Sequence, residues 1–493
     1  MAPGETLIRI LRAIIVSLAV TLFLAAGCGV GDADKDAGPH ASARSGEATR
    51  ERSTDDRPNI VFVMTDDMEE GMLTRMPVVR SRMMGEGVTF DNALVTQSLC
   101  CPSRATALRG QYPHNHGITA NDVPDGGAVR FRRRELDEST FATWLQDSGY
   151  RTGLVGKYLN NTEKRYLPPG WDEWDGMVGM ASDHTLNENG HLHRYSQETV
   201  MTDVYKKKSL DFLRQATDDA SDPPFMLWTG TFAPHLHAEY ASRDADLYKD
   251  TPLPRPPSFN EDDVSDKPEW IRNTPRLKSR EIEKLTKQHR DRLRSLRGVD
   301  QMVGDILKLL EERGELDNTY VVFTTDNGLQ TGQHRLTKKS TPYEEAAGVP
   351  LVVRGPGVPA GVVRNQLVIN NDFAPTFADW ADTGVPGFVD GRSFAPLLGL
   401  DPPPDPDWRT AVLNEQDQKQ RFHIPDYEAV RTGNQTYVRW KTGERELYDL
   451  RSDPYELENV NDEAAPLTLA RFKTRAELLS GCRGSSCRAA EGP

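Results

Sequence analysis

An α/β domain, built on a large, mostly parallel sheet flanked by helices, is predicted by three features of this 493-residue sequence. Short apolar runs bounded by turn residues alternate with helix-period patterns, as expected for parallel strands buried on both faces. Four of these runs end in side chains able to do chemistry, and open α/β sheets bind ligands at the carboxyl ends of their strands. The length exceeds the roughly 100 to 200 residues of a typical domain, so a second, smaller unit is expected.

The four strands are NIVFVM (59–64), RTGLVG (151–156), FMLWTGTF (225–232) and TYVVFTT (319–325). Each is short and densely apolar, and turn residues bound it. Helices lie between them. STFATWLQDSG (139–149) takes Ser139 as N-cap and closes at Gly149, while VDQMVGDILKLLEERG puts Val299, Met302, Val303, Ile306, Leu309 and Leu310 on one stripe and stops at Gly314. The basic stretch 278–297 reads as a solvated surface helix, and the proline-rich segment 251–275 as an insertion loop. The main domain is expected over 58–386. RTAVLNEQ, TYVRWKTGERELYDLRSDPYELENV and a helix around 467–479 predict a small antiparallel sheet with a packing helix over 387–480, followed by a tail (481–493) ordered only by its cysteines.

Hydrophobic residues make up 37% and charged residues 27%, an ordinary globular balance. A net charge of −14 argues against a nucleic-acid partner. Residues 1–27 pair Arg9 and Arg12 with an apolar run and small residues, the layout of an export signal, and the run is shorter than the ~20 apolar residues that span a bilayer. A short membrane anchor is the plainer alternative. The ending Leu24-Ala25-Ala26-Gly27-Cys28 resembles a bacterial lipoprotein box, which would tie Cys28 to the cell surface by lipid; plain secretion is the other reading. Residues 28–57 read as a flexible tether. Cys482 and Cys487 enclose a short Gly/Ser loop and are spaced for a local disulfide, which leaves Cys100 and Cys101 unpaired.

The strand ends carry Asp66-Asp67, Lys157, His235 and Asp326-Asn327-Gly328. Adjacent carboxylates repel unless a cation or proton lies between them. With Asp326 and Asn327 the donors are all oxygen, which suits Ca²⁺ or Mg²⁺ and not zinc. Pro102 fits the first turn of a helix starting just after Cys100, so Cys100 sits at a positive helix end. Arg104, Lys157 and His235 add cationic donors. Metal and cations together describe a hydrolase for an oxyanion ester. A thiolate at Cys100 with His235 as its base fits equally well at this point.

CCPSRATALRG (100–110) resembles the sulfatase signature C-x-P-S-R-x-x-x-L-x-G. GKY (156–158), APH (233–235), TDNG (325–328), KSTPYEE (339–345), VPLVVRGPG (349–357) and ELYDLRSDPYELEN (446–459) support it, so the resemblance to type I, formylglycine-dependent sulfatases covers about 58–460. The resemblance implies an alkaline-phosphatase-like fold and conversion of Cys100 to formylglycine by a separate formylglycine-generating enzyme. It assigns Arg104 to steadying that residue, Asp66, Asp67, Asp326 and Asn327 to Ca²⁺ (ahead of Mg²⁺) together with residue 100, and Lys157, His235 and Lys339 to sulfate. The hydrated aldehyde offers two hydroxyls, one to attack sulfur and one to expel sulfate, which disfavours the thiolate.

Two positions depart from the pattern. Leu159 stands where many sulfatases carry histidine, and Arg109 where threonine is common. His116, His237 and His334 lie near the motifs as candidate substrate contacts, and Cys101 fills a variable position as a packing residue. GKYLN, GQYPHNHG, PPGWDEW and TDVYKKKSLDFL resemble the branch of N-acetylglucosamine-6-sulfatases and heparan 6-O-endosulfatases, which implies a glucosamine-6-sulfate-like sugar. Two rival functions are a phosphonate or phosphate monoester hydrolase, and a lipoprotein that binds sulfated glycans without turnover.

Overall fold

The computed structural model describes residues 55–492 apart from 180, 220–221, 405–406 and 418–423. The export signal, Cys28 and the tether as far as 54 lie outside the described residues. Among the described residues no helix is long and apolar enough to cross a membrane.

Ten strands form one sheet in the order Val362–Arg364, Val88–Phe90, Leu351–Arg354, Thr319–Thr325, Asn59–Thr65, Phe225–Gly230, Arg151–Gly156, Glu173–Met177, Thr185–Glu188, His191–Arg194. The five from Thr319–Thr325 to Glu173–Met177 run parallel and include all four strands expected from sequence. The third is shorter than its apolar run, because it ends at Gly230 and the chain then turns away. Strand Asn59–Thr65 is buried at every position, so its alternate side chains serve two cores. Ile60, Phe62 and Met64 meet Phe141, Trp228, Phe373 and Phe377 on one face. Val61 and Val63 meet Phe212, Val299, Val303 and Ile306 on the other. Burying each such side chain stabilises the sheet by about 1.5–3 kcal/mol.

The helices differ from expectation at two points. Segments 278–297 and 299–314 form one helix of 35 residues, Ser279–Arg313, ended by Gly314 in the left-handed region. Its basic half is therefore not all solvated: Arg292 is fully buried. Helix Phe141–Asp147 is capped by Thr140, whose N–H donates to Thr143 Oγ1 at 3.0 Å, while Ser139 instead accepts from the Trp144 indole at 2.9 Å.

Strands Ala411–Gln416, Tyr427–Thr432, Gln435–Trp440 and Arg445–Asp449 form the small antiparallel sheet. Helix Pro466–Ser480 packs Phe472, Ala476 and Leu479 onto Leu413, Val430, Tyr437 and Leu447. The fold class expected from the sequence is thus the one observed. Cys482 and Cys487 are disulfide-bonded. Replacing both by serine is expected to reduce stability by about 2 kcal/mol in urea titration, the loop-closure contribution of so short a ring.

More than the disulfide holds the segment after 481. It forms helix Ser485–Glu491, and the fully buried Glu491 accepts a hydrogen bond from Tyr112 Oη at 2.8 Å and pairs with Arg409 Nε at 3.2 Å. Arg409 in turn makes a bidentate pair with Asp372, both bonds 2.7 Å, with neither side chain exposed.

Candidate active site

Strand register brings the site together. Thr65 lies opposite Thr325, Met64 opposite Gly230, and Gly156 also opposite Gly230, so Asp66, Lys157 and Asp326 emerge side by side at one sheet edge. Backbone bonds extend the ladder by one step: Asp326 N–H donates to Thr65 O at 3.1 Å and Lys157 N–H to Gly230 O at 2.7 Å. Gly156 permits this close approach. Its φ is +92°, and a Cβ there would lie 2.1 Å from Gly230 O.

Over this edge lies helix Cys100–Arg109, all ten of whose residues are buried. Cys100 is its first residue and not the one before it, with Leu99 as N-cap. Gly110 closes the helix with φ +67°, and a Cβ at that position would press on Val389 at 2.9 Å.

The helix directs Cys100 Sγ to within 3.3 Å of Asp66 Oδ1 and 3.9 Å of Asp67 Oδ1. Lys339 Nζ lies 2.7 Å from the same sulfur and pairs with Asp67. Lys157 pairs with Asp66 and stands 3.8 Å from Asp326. Arg104, one turn along the helix, donates from Nε to Asp326 at 2.7 Å, from Nη1 to Lys157 O at 2.7 Å and from Nη2 to Thr65 O at 3.3 Å. His235 Nε2 is 3.5 Å from Asp67 Oδ2. Three buried carboxylates thus face two buried cations, Arg104 and Lys157, and the part-buried Lys339, and such pairing is the condition under which charge survives in an interior.

Burial raises Asp66, but Lys157, His235, Lys339 and Arg104 outweigh it and hold that carboxyl far below the usual range. Asp326 goes the other way, raised by burial and by the charge of Asp66. The carboxylates therefore titrate as one system. Burial, reinforced by Asp66, also pushes the Cys100 thiol up, so a resting thiolate is disfavoured.

One atom in this cluster points to a cation. Asn327 Nδ2 donates to Asp67 Oδ1 at 2.6 Å and to Gly328 O at 2.8 Å, and its own Oδ1 is buried with no hydrogen-bond partner among the described residues. An orphaned carbonyl oxygen beside carboxylates is a ligand for a hard cation. Ligand atoms of Asp66, Asp67, Cys100 and Asp326 lie within 4.8 Å of one another. The residues present fit a metal.

The sequence matches the family description "Sulfatase" over residues 58–383, two thirds of the chain, and "N-sulphoglucosamine sulphohydrolase, C-terminal" over 332–478. The chain belongs to the sulfatase family. The N-acetylglucosamine-6-sulfatase of Homo sapiens is 32% identical over 483 residues, covering 88% of this sulfatase and 86% of the relative. A Drosophila melanogaster extracellular sulfatase SULF-1 homolog is 34% identical over 410 residues, 79% of this chain, and this chain spans only 35% of that relative's length. Among solved structures, one described in complex with its substrate D-glucosamine-2-N,6-O-disulfate superposes with a TM-score of 0.74 at 26% identity, covering 85% of this chain and 97% of the other.

The structure of this sulfatase separates the remaining candidates. His116 is fully buried: its Nδ1 accepts from Ile118 N–H at 3.0 Å, so Nε2 donates to Thr106 Oγ1 at 2.9 Å. Both ring nitrogens are thus engaged inside the fold. His334 is also fully buried, with Glu261 2.8 Å from Nδ1, while His237 is exposed two residues beyond His235. Leu159 packs in the main core and offers no polar atom. Arg109 ties the helix to a neighbouring turn through Leu136 O and Ser139 O, both at 2.7 Å. Cys101, in the first turn of the site helix, packs in the core.

Sequence reasoning missed Arg292. Its guanidinium bonds Asp67 O, Pro234 O and Glu69, so it braces the loops that carry Asp67 and His235. The signal was present: extending the stripe of Val299 and Val303 upstream by helical steps leads through Leu296 to Arg292.

Proposed function

We propose that this sulfatase hydrolyses sulfate esters on sulfated sugars, with a 6-O-sulfated glucosamine as the first candidate, using formylglycine at position 100 and Ca²⁺. The observation that carries this reading is the placement of Cys100 Sγ. It lies at a helix start, among three carboxylates and 2.7 Å from Lys339. The sugar is inferred from the glucosamine-6-sulfatase relatives and the glucosamine disulfate complex.

An aldehyde at position 100, once hydrated, would supply one hydroxyl to attack sulfur, the S–O ester bond breaking as the sugar alcohol leaves, and a second whose deprotonation would expel sulfate and restore the aldehyde. Asp66, Asp67, Asp326 and Asn327 Oδ1 would hold Ca²⁺, which when bound would supply charge for the non-bridging oxygens. Lys339 and His235 are the members of the cluster that reach solvent, with side-chain exposures of 14% and 31%, so the sulfate group enters between them. Lys157, at 3%, holds the inner side. With Leu159 unable to carry a proton, Lys339, 2.7 Å from Cys100 Sγ, would move one at position 100, and His235 would meet the leaving oxygen. Arg104 keeps Asp326 and the site helix in register from below.

Purified protein assayed on N-acetylglucosamine-6-sulfate, an aryl sulfate and an aryl phosphate tests the reaction class: sulfate turnover is expected, and turnover of phosphate alone would sink the reading. Mass spectrometry of the tryptic peptide 83–104 from the native host is expected to show the loss of thiol at Cys100. An unmodified peptide rejects hydrolysis and leaves a glycan-binding protein. EGTA is expected to lower turnover by about tenfold or more. Calcium at a hundred times its Kd should restore it and add about 2.7 kcal/mol to the stability of the stripped protein. Export through residues 1–27 belongs to the same proposal, with lipid on Cys28 or free secretion. Membrane fractionation of a Cys28→Ser variant decides between them.

A further inference from the structure

Away from the cluster around Cys100, two buried side chains and one part-buried one bring ligand atoms close to one another. His334 lies in the loop after strand Thr319–Thr325, Glu345 in helix Glu344–Ala347, and Glu456 beyond strand Arg445–Asp449. One atom of each is accounted for. His334 Nδ1 faces Glu261 Oε2 at 2.8 Å, Glu345 Oε1 accepts from Ser258 Oγ at 3.0 Å, and Glu456 Oε2 accepts from Glu344 N–H at 2.9 Å. The other three, His334 Nε2, Glu345 Oε2 and Glu456 Oε1, are buried with no hydrogen-bond partner among the described residues. His334 is 0% and Glu456 1% exposed. Nε2 and Glu345 Oε2 are 3.9 Å apart, and one ligand atom from each of the three residues falls within 4.8 Å of the others.

Buried polar atoms without partners are costly, and two carboxylates facing each other need a cation or a proton between them. The tautomer points to the cation. With Nδ1–H donated to Glu261, the lone pair of Nε2 is directed at the two carboxylates, which is how a carboxylate orients a metal-binding imidazole. We propose that His334, Glu345 and Glu456 form a second metal site for a borderline dication, Zn²⁺ or Mn²⁺. One nitrogen and two carboxylate oxygens suit such ions, whereas Ca²⁺ takes oxygen alone. A cavity of about 560 Å³ lined by Glu70, His289, Gln333, Glu345, Pro454 and Tyr455 adjoins the group at Glu345, the one of the three residues that lines it. His334 and Glu345 flank the segment that carries Lys339, and Glu456 comes from beyond the small sheet. The ion therefore clamps both ends of the Lys339 segment to the C-terminal part of the chain.

The test uses the full, untagged chain, stripped with a chelator and equilibrated with Zn²⁺ in excess Ca²⁺. The wild type is expected to retain one equivalent of zinc by elemental analysis, and Glu456→Gln and His334→Gln less than a tenth of that. Crystals of the zinc-loaded wild type are expected to give an anomalous peak about 2.0–2.2 Å from Nε2 and the two carboxylates. Absence of retained zinc, retention undiminished in both variants, or a peak only among Asp66, Asp67 and Asp326 would overturn the site. Should either variant fail to fold, the wild-type anomalous map decides alone.

Discussion

Cys100→Ala is expected to lower kcat by at least about 10⁴-fold, as removal of an attacking group does when the rest of a site is left standing. Cys101→Ala, one residue away, is expected to leave turnover near the wild-type value, because its side chain lies in the core and not among the charges. The contrast isolates chemistry from folding, since both residues sit in the first turn of the same buried helix. Cys100→Ser sharpens it. One hydroxyl can attack sulfur, but no second hydroxyl is there to expel sulfate. Such a variant should release about one equivalent of alcohol per chain and then stop. A burst followed by steady turnover would remove the argument for an aldehyde at this position.

Arg409→Met should reduce stability by about 3–5 kcal/mol, the cost of removing one partner from a fully buried ion pair. Methionine nearly fills the space, so the loss is one of charge: Asp372 loses its buried cation, and Glu491 keeps only one, Arg392, 3.1 Å away. Asp372 has further duties, accepting from the backbone N–H groups of Ile369 at 2.9 Å and Arg392 at 3.0 Å. Denaturation followed by tryptophan fluorescence measures the effect. Adding Asp372→Asn and Glu491→Gln to Arg409→Met should recover part of it, since the buried negative charge that Arg409 offset is gone. If the triple variant is as unstable as the single one, the loss is of packing.

What the sequence made legible follows from how locally each feature is encoded. The four central strands were readable because strands buried on both faces leave dense apolar runs, and the residues just past them had to lie at one sheet edge. The group around Cys100 follows from those strand ends and one contiguous motif. Arg292 was missed because a charged side chain in a basic stretch reads as solvated, although it lies on the extension of the apolar stripe. The Arg409, Asp372 and Glu491 network joins residues from three separate segments with no period linking them. Nor does any local pattern show that the Nε2 of a buried histidine lacks a partner; that needs coordinates.

The burial of Cys100 has a consequence for the order of events during synthesis. With 1% of its surface exposed inside a fully buried helix, the residue cannot be reached by another protein once the fold has closed. Any enzyme that converts it must act on the open chain. The ion pair from Arg409 to Glu491 waits for residues made far downstream of Cys100. At about 5–20 residues per second that separation amounts to roughly 20 to 80 s. If Cys100 is converted as proposed, the C-terminal network would time that step: a change that speeds closure would shorten the time in which Cys100 can be reached, and one that delays it would lengthen that time.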